Sequence, residues 1–444
     1  MSDLDDNLKK TIIPGKLAMK YHPLYKGKIE IVPKCPITKL EDFSIWYTPG
    51  VAEPCKQISN NVNSVFDYTN RGNTIAVVSD CTRVLGLGDI GPEAGLPVME
   101  GKSLLFKFLG GVDAVPLVLR TKVPDELIST VKILEPSFGG INLEDIEKPK
   151  CFYILEKLKK ELNIPVWHDD AQGTATVQVT ALLNALKYTG RNIKQAKITL
   201  LGAGASSISI AQLLITTGAN PKNIILVDSK GILNQDRLDL KDIDPYKWDL
   251  CLITNGENRI GDISDALVDS DVCLATSKSG PDIIKKEWIR KMSENGIVFA
   301  CANPISEIWP WDAKEAGAKI VATGRSDFPN QVNNSLGFPG IFRGTLDVMA
   351  NTITNEMCLA AAFELAKIAE EKGLNDNYII PTMDDWEIFV REAVAVGEKA
   401  IEQGITKIKP TRNELRENAS NLITRARNQV KTLTKAGLIK PFQE

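Results

Sequence analysis

The chain has 444 residues, 43% of them hydrophobic and 25% charged, and a formal net charge of −3. That length predicts two to three domains, each able to bury a core, and so small a charge excludes an electrostatically driven nucleic-acid surface. No apolar run approaches the roughly 18 residues of a membrane span, and the acidic start Met1-Ser2-Asp3-Leu4-Asp5-Asp6 lacks a secretory stretch, so a cytoplasmic location is expected.

The eight cysteines are scattered with no C-x-x-C pair, which argues against a zinc site or a disulfide framework. Only His22 and His168 are available as imidazoles, so any metal here should be oxygen-ligated, magnesium or manganese.

Taken in order, residues 1–20 read as a helix and Ile29-Glu30-Ile31-Val32 as a short strand. Thr38 with Glu41 forms a capping box that predicts a helix start, and Pro49 and Gly50 break the pattern before a helix over 53–60. The β-branched run Thr74–Val78 predicts a buried strand that ends in Ser79-Asp80-Cys81-Thr82-Arg83 and a glycine-rich loop at 85–91. After Met99-Glu100-Gly101-Lys102 come a helix over 103–109, a strand over 114–119 and a helix over 125–134. The chain then passes through Gly139–Ile146, which carries Glu144-Asp145, to a helix over 151–162.

Pro165-Val166-Trp167-His168 rises as an apolar run to Asp169-Asp170, and a Gly173–Thr174 step opens a helix to Tyr188. This is a strand delivering two carboxylates to its C-terminal tip, where open α/β sheets hold their ligands. Adjacent strand residues point to opposite sides, so Asp169 and Asp170 should do different jobs. Further strands are predicted at 196–201, 223–227, 271–276, 297–302 and 319–322, and helices at 345–371, 384–403 and 411–436. The alternation predicts parallel α/β layers. An N-terminal α/β domain over 1–165 precedes a Rossmann-type doubly wound parallel-sheet NAD(P)-binding domain over 166–380 and a C-terminal helical segment over 381–444.

Gly202-x-Gly204-x-x-Ser207 follows a strand, opens a helix, and has Asp228 at the end of the next strand. That context makes it a dinucleotide fingerprint, with Ser207 in place of the third glycine. Asp228 would bond a ribose 2′-hydroxyl, whereas Ser229-Lys230 would suit a 2′-phosphate, so the residues leave the coenzyme choice open. Glu144, Asp145 and Asp170 suit a hard divalent cation, although each acid could equally cap a helix or face solvent. Arg83 could clamp a substrate carboxylate, and His168 reads as a structural neighbour.

Several linked motifs carry a resemblance. Tyr47-Thr48-Pro49-Gly50-Val51-Ala52, Ser79–Gly88, Leu96-Pro97-Val98-Met99-Glu100-Gly101-Lys102, His168–Thr174, Asn303-Pro304 and Asn333–Gly340 resemble the malic enzymes in their short microbial form, over roughly residues 20–400. Ala171-Gln172 departs from many relatives without touching the acids.

The resemblance implies oxidative decarboxylation of L-malate to pyruvate and CO₂ with NADP or NAD, activity on oxaloacetate, and a homodimer. It implies Mg²⁺ or Mn²⁺ on Glu144, Asp145 and Asp170, Lys102 as general base, Tyr47 as general acid and Asp169 as support for Lys102. Arg83, Asn303 and Asn334 would hold substrate; Gly202, Gly204, Ala205, Ser206, Asp228, Ser229, Lys230, Thr276 and Asn303 would hold coenzyme. Asp-Ser-Lys-Gly at 228–231 leans the choice towards NADP. The rival readings are a metal-independent amino-acid dehydrogenase with the same two-domain plan, and a non-catalytic nucleotide-binding protein.

Overall fold

The structure is a computed structural model that describes residues 2–442, with side chains from residue 13 onward. The chain opens with helix α1 (Ser2–Tyr25) and reaches α2 (Ala52–Asn60) without a strand. The strand expected at Ile29–Val32 is absent: Ile31 is fully exposed and the segment pairs with nothing. The Thr38 cap does form, but Asp42 supplies its carboxylate, accepting from the Thr38 backbone N–H and hydroxyl at 2.7 and 2.8 Å. The cap opens a 3₁₀ turn, Leu40–Asp42, that runs directly into one helical turn, Phe43–Trp46.

The first sheet contains β1 (Thr74–Ser79), β2 (Asp113–Val118), β3 (Gly140–Leu143) and β4 (Val166–His168), all parallel, in the order β2-β1-β3-β4. Ile75, Ala76, Val77 and Val78 are buried in succession rather than alternately, as befits a parallel strand covered on both faces. Val78 lies opposite Leu143, and Leu143 opposite His168. That register lines up the residues that follow each strand along one sheet edge.

Helix α3 (Pro92–Gly110) follows the glycine-rich loop and starts well before the expected position, so that Lys102 sits inside it. Pro92 occupies the tolerated first turn, and Gly95 lets the helix pack closely against the loop that follows β1. A Cβ at Gly95 would stand 2.2 Å from Cys81 Sγ. Helices α4 (Pro124–Leu134) and α5 (Lys150–Glu161) complete the crossovers.

After α6 (Thr174–Tyr188), a second sheet holds β5 (Ile198–Leu201), β6 (Ile224–Asp228), β7 (Gly231–Ile232), β8 (Val272–Ala275), β9 (Ile297–Ala300) and β10 (Ile320–Thr323). Its order is β10-β9-β8-β5-β6-β7, parallel apart from the β7 edge. The order reverses beside β5, which places the ligand crevice at the tips of β5 and β8. Helix α7 (Ala205–Thr217) leaves from the β5 tip, and α8 (Pro245–Ile253) lies further along.

The helix expected over 345–371 is two, α9 (Phe338–Asp347) and α10 (Asn355–Lys372), and Thr354 caps the second through Met357 N–H. Helices α11 (Glu387–Glu402) and α12 (Arg412–Lys435) follow. These helices return to the first sheet. Phe106 of α3 meets Phe338 and Phe342 of α9 at ring separations of 4.5 and 5.2 Å. Gly110 and Gly111 let the backbones of Pro339 and Leu422 come close, where a Cβ would stand 2.7 Å from each. No helix of the described residues is long and apolar enough to cross a membrane.

Candidate active site

The sheet edge delivers acids from two adjacent strands. Glu144 and Asp145 follow β3, and Asp169 and Asp170 follow β4; Glu144, Asp145 and Asp169 are buried. Asp145 takes a left-handed φ of +52°, and its backbone N–H donates to Asp170 Oδ2 at 2.8 Å, so the two tips are stitched together. Asn142 Nδ2 donates to Glu144 Oε2 at 2.8 Å.

Lys102 reaches this edge from α3. Its Nζ lies 2.5 Å from Asp169 Oδ2 and 2.9 Å from Glu144 Oε1, and 4.3 Å from the centre of the Phe338 ring. Asp169 also accepts from Asn334 Nδ2 at 2.6 Å and from Trp167 Nε1 at 3.2 Å. Asn334, expected to hold substrate, is thus engaged with the residue that holds Lys102. Burial alone would pull the Lys102 ammonium down, but Asp169, Glu144 and Asp170 outweigh it and hold the lysine cationic.

The acids pay for this crowding. Burial, then the charge of Asp170, pushes the Asp145 carboxyl up to about 8. Burial likewise raises Glu144, which the Lys102 charge only partly offsets. Asp145 Oδ2 is buried with no hydrogen-bond partner. That orphaned oxygen, in a cluster of oxygen donors with one ammonium among them, fits a hard divalent cation. Among the described residues no three acid, histidine or cysteine side chains yet stand at metal-binding spacing. His168 is buried, which lowers its pKa, and both its ring nitrogens are without a hydrogen-bond partner.

The coenzyme half adjoins the acids directly. Gly202 has φ +95° and passes so close to β8 that a Cβ would stand 2.8 Å from the Thr276 carbonyl oxygen. Around Gly204 the Cβ direction is open, leaving the α7 N-terminus approachable. Ser206 Oγ donates to the Asp170 carbonyl at 2.8 Å, and Ser207 shares a 2.8 Å bond with Thr276. Asn303, joined to Pro304 by a cis peptide bond, is exposed and presents its carbonyl to Gly86 of the first-domain loop.

Three expected residues stand apart. Arg83 is exposed, donates to the Leu85 carbonyl at 3.2 Å and forms no ion pair among the described residues. Tyr47 is 70% exposed, and its hydroxyl makes no bond to Lys102 in this single chain. Asp228 is covered rather than offered: Arg237 and Lys247 both bond its carboxylate.

Two family profiles divide the chain between them. Residues 26–159 match the malic enzyme N-terminal domain, and residues 171–401 match the malic enzyme NAD-binding domain. The chain belongs to the malic enzyme family. It is 47% identical over 405 residues to a bifunctional malic/malolactic enzyme of Bacillus subtilis, covering 91% of this chain and 97% of that one. It is 40% identical to an NADP-dependent malic enzyme of Escherichia coli over 418 residues, 90% of this chain but 53% of that longer one. A crystal structure of Entamoeba histolytica malic enzyme superposes with a TM-score of 0.97 at 46% identity, covering all of this chain and 93% of the other. Malic enzyme from Pyrococcus horikoshii gives 0.88 at 50% identity, over 92% and 95% of the two chains. Family membership sets aside the amino-acid dehydrogenase reading.

Several working residues escaped the sequence. Arg237, Lys247 and Asn142 carried no motif. Glu307, fully buried, accepts from Ser277 N–H at 2.8 Å and from Ala302 N–H at 3.0 Å, and so ties the β8 and β9 tips. Only the geometry of the sheet brings these partners together.

Proposed function

We propose that this chain catalyses the oxidative decarboxylation of L-malate to pyruvate and CO₂ with NADP or NAD, and that it also decarboxylates oxaloacetate. The observation that carries this reading is the buried Lys102–Asp169–Asn334 set beside Glu144, Asp145 and Asp170, with Ser206 bonding the Asp170 carbonyl across the domain junction. The relatives bear names that specify NADP- or NAD-dependent malic enzymes, so both coenzymes occur among them. Glu144, Asp145 and Asp170 would hold Mg²⁺ or Mn²⁺, and the glycine loop at 202–206, with Thr276, would hold the dinucleotide.

When bound, the coenzyme would supply a hydride acceptor and the cation, held by Glu144, Asp145 and Asp170, would supply Lewis acidity for decarboxylation. The chain supplies the rest. Lys102, fixed by Asp169 and Asn334, exchanges the proton of the substrate hydroxyl. Arg83, which forms no ion pair among the described residues, would bind a carboxylate in two-pronged fashion, and Asn303, whose carbonyl faces Gly86 of the same loop, would contact the substrate. Tyr47 is the candidate donor of the proton to the enolate carbon.

A homodimer is supported by the surface around Tyr47. Ile31, Leu40, Ile45 and Tyr47 are 100, 82, 61 and 70% exposed, apolar surface close together in sequence that a second copy could cover. All eight cysteines are free, in keeping with a reducing cytoplasm. The boundary expected at 165 falls inside the first sheet, because β4 (Val166–His168) pairs with β3; we therefore assign substrate binding to the first sheet with the acids that follow β3 and β4, the coenzyme to the second sheet, and a bracing role to 381–444.

The test is coenzyme reduction by L-malate with Mn²⁺, repeated after chelation, with pyruvate measured as product. Metal-dependent pyruvate formation is expected. Glutamate oxidation that ignores chelation, or no turnover of malate with either coenzyme, would overturn the reading.

A further inference from the structure

We propose that Arg237 sets the coenzyme selectivity, by saturating Asp228 so that the ribose site accepts a 2′-phosphate and not a bare diol. The inference rests on reading the glycine loop as a dinucleotide site. An acid at the end of the second strand of such a fold normally holds the ribose hydroxyls and repels a 2′-phosphate. Asp228 occupies that place at the tip of β6, and its side chain is only 9% exposed.

A carboxylate offers about four lone-pair positions. At Asp228 all are taken. Oδ1 accepts from the Lys230 backbone N–H at 2.9 Å and from Arg237 Nη1 at 3.1 Å. Oδ2 accepts from Arg237 Nη2 at 3.1 Å and from Lys247 Nζ at 3.1 Å. Nothing remains for the 2′- and 3′-hydroxyls of a ribose. The fork is rigid, because Arg237 also donates through Nε to Asp239 Oδ1 at 2.9 Å.

The charge balance points the same way. Three cations, Lys230, Arg237 and Lys247, stand against Asp228 and Asp239, so the site carries a positive excess. A phosphate at the rim meets that excess, with Ser229 adjacent as a hydroxyl donor. Lys230 cannot carry the selectivity by itself: its side chain is 66% exposed and paired with Asp239. Arg237 is the residue that both neutralises the acid and fixes its direction.

The experiment is calorimetric titration of the full-length wild type and of Arg237→Ala with 2′,5′-ADP and with 5′-AMP, alongside KM values for NADP and NAD. The wild type should bind 2′,5′-ADP at least tenfold more tightly than 5′-AMP. Arg237→Ala should lose about ten- to hundredfold for 2′,5′-ADP, the scale of a charge-assisted contact, and gain for 5′-AMP as Asp228 regains two acceptor positions. Arg237→Gln keeps part of the stem and a polar tip without the charge and should shift the ratio in the same direction by less, which covers the case of an unfolded alanine variant. If neither nucleotide binds the wild type, the dinucleotide reading fails and the proposal with it. If both bind and the ratio is unchanged in both variants, or the wild type favours 5′-AMP, the dinucleotide reading stands and the role of Arg237 is refuted.

Discussion

Lys102→Arg separates a lysine that moves a proton from one that merely anchors charge. Arginine retains the cation and can bond Asp169 in two-pronged fashion, but it does not give up its proton in the working range. The ion pairs at 2.5 and 2.9 Å would therefore be replaced in kind. The cost in stability comes from bulk, since Lys102 is only 8% exposed and lies 4.3 Å over the Phe338 ring. Overpacking of a closed site costs about 1–3 kcal/mol. Lys102→Met, which strips the cation from two buried carboxylates, should cost more, about 3–5 kcal/mol. Turnover in Lys102→Arg should fall by about 10²–10⁴-fold, the usual worth of positioned proton transfer, with malate KM far less affected. Steady-state kinetics in Mn²⁺, with thermal melting and 2′,5′-ADP binding as folding controls, measures each part. Near-normal kcat in a folded Lys102→Arg would end the proton-transfer role and leave Lys102 as an electrostatic anchor.

Mn²⁺ at a hundredfold excess over its Kd should stabilise the wild type by about 2.7 kcal/mol, and Asp170→Asn should abolish the melting shift; an undiminished shift removes Asp170 from the ligand set. Lys230→Gln should weaken NADP by less than about tenfold, because its exposed ammonium is screened and already paired with Asp239; a larger NADP-specific rise in KM would restore Lys230 as the main contact. Gly340→Ala should destabilise by about 1–3 kcal/mol, since its Cβ would stand 2.0 Å from Glu392 Oε2; denaturant melts read this directly. Glu392 itself is fully buried with both carboxylate oxygens unpartnered, and burial raises its pKa well above the ordinary value. The folded state then keeps a proton that the unfolded chain releases above about pH 4.3, so this group's contribution to stability is full below that and is lost as pH rises towards the folded pKa. Glu392→Gln should flatten that slope; an unaltered pH profile of melting would show that Glu392 is satisfied in some other way.

Local signals carried much of the architecture. The β-branched run at Thr74–Val78 forms the expected strand β1, and the glycine pair at 202 and 204 and the acid pair after Trp167-His168 each follow a strand, as expected. Elsewhere local signals are poor and long-range partners decide the structure. β3 is only four residues, Gly140–Leu143, and its place is set by pairing on both sides rather than by propensity. The start of α3 was hidden because glycines that serve close packing look like breakers when the neighbour is unknown. Exposed apolar residues at Ile29–Val32 mimicked a strand because alternation does not reveal whether a partner strand exists. In the site, the acids and Lys102 were legible from motifs, but Asn334 bonds Asp169 across 165 residues of sequence. Arg237 lies nine residues beyond Asp228 on a loop, with no periodicity to place its side chain.

Two opposing effects meet at Lys102, and their outcome explains the rest of the cluster. Burial alone would favour a neutral amine, which could accept a proton directly. Asp169, Glu144 and Asp170 overrule burial and keep it cationic. The same imbalance appears at Asp145, whose carboxyl is pushed up to about 8 and whose Oδ2 has no partner. One ammonium serves four carboxylates, so the lysine is held too firmly and an acid too loosely. Any added positive charge on Glu144, Asp145 and Asp170 corrects both at once: it partners the orphaned oxygen and weakens the field that keeps Lys102 protonated. The acidity of Lys102 is therefore tied to the charge state of the strand tips. Ser206, bonded to the Asp170 carbonyl, fastens those tips to the glycine loop, so the acids and the coenzyme loop are held in one fixed relation.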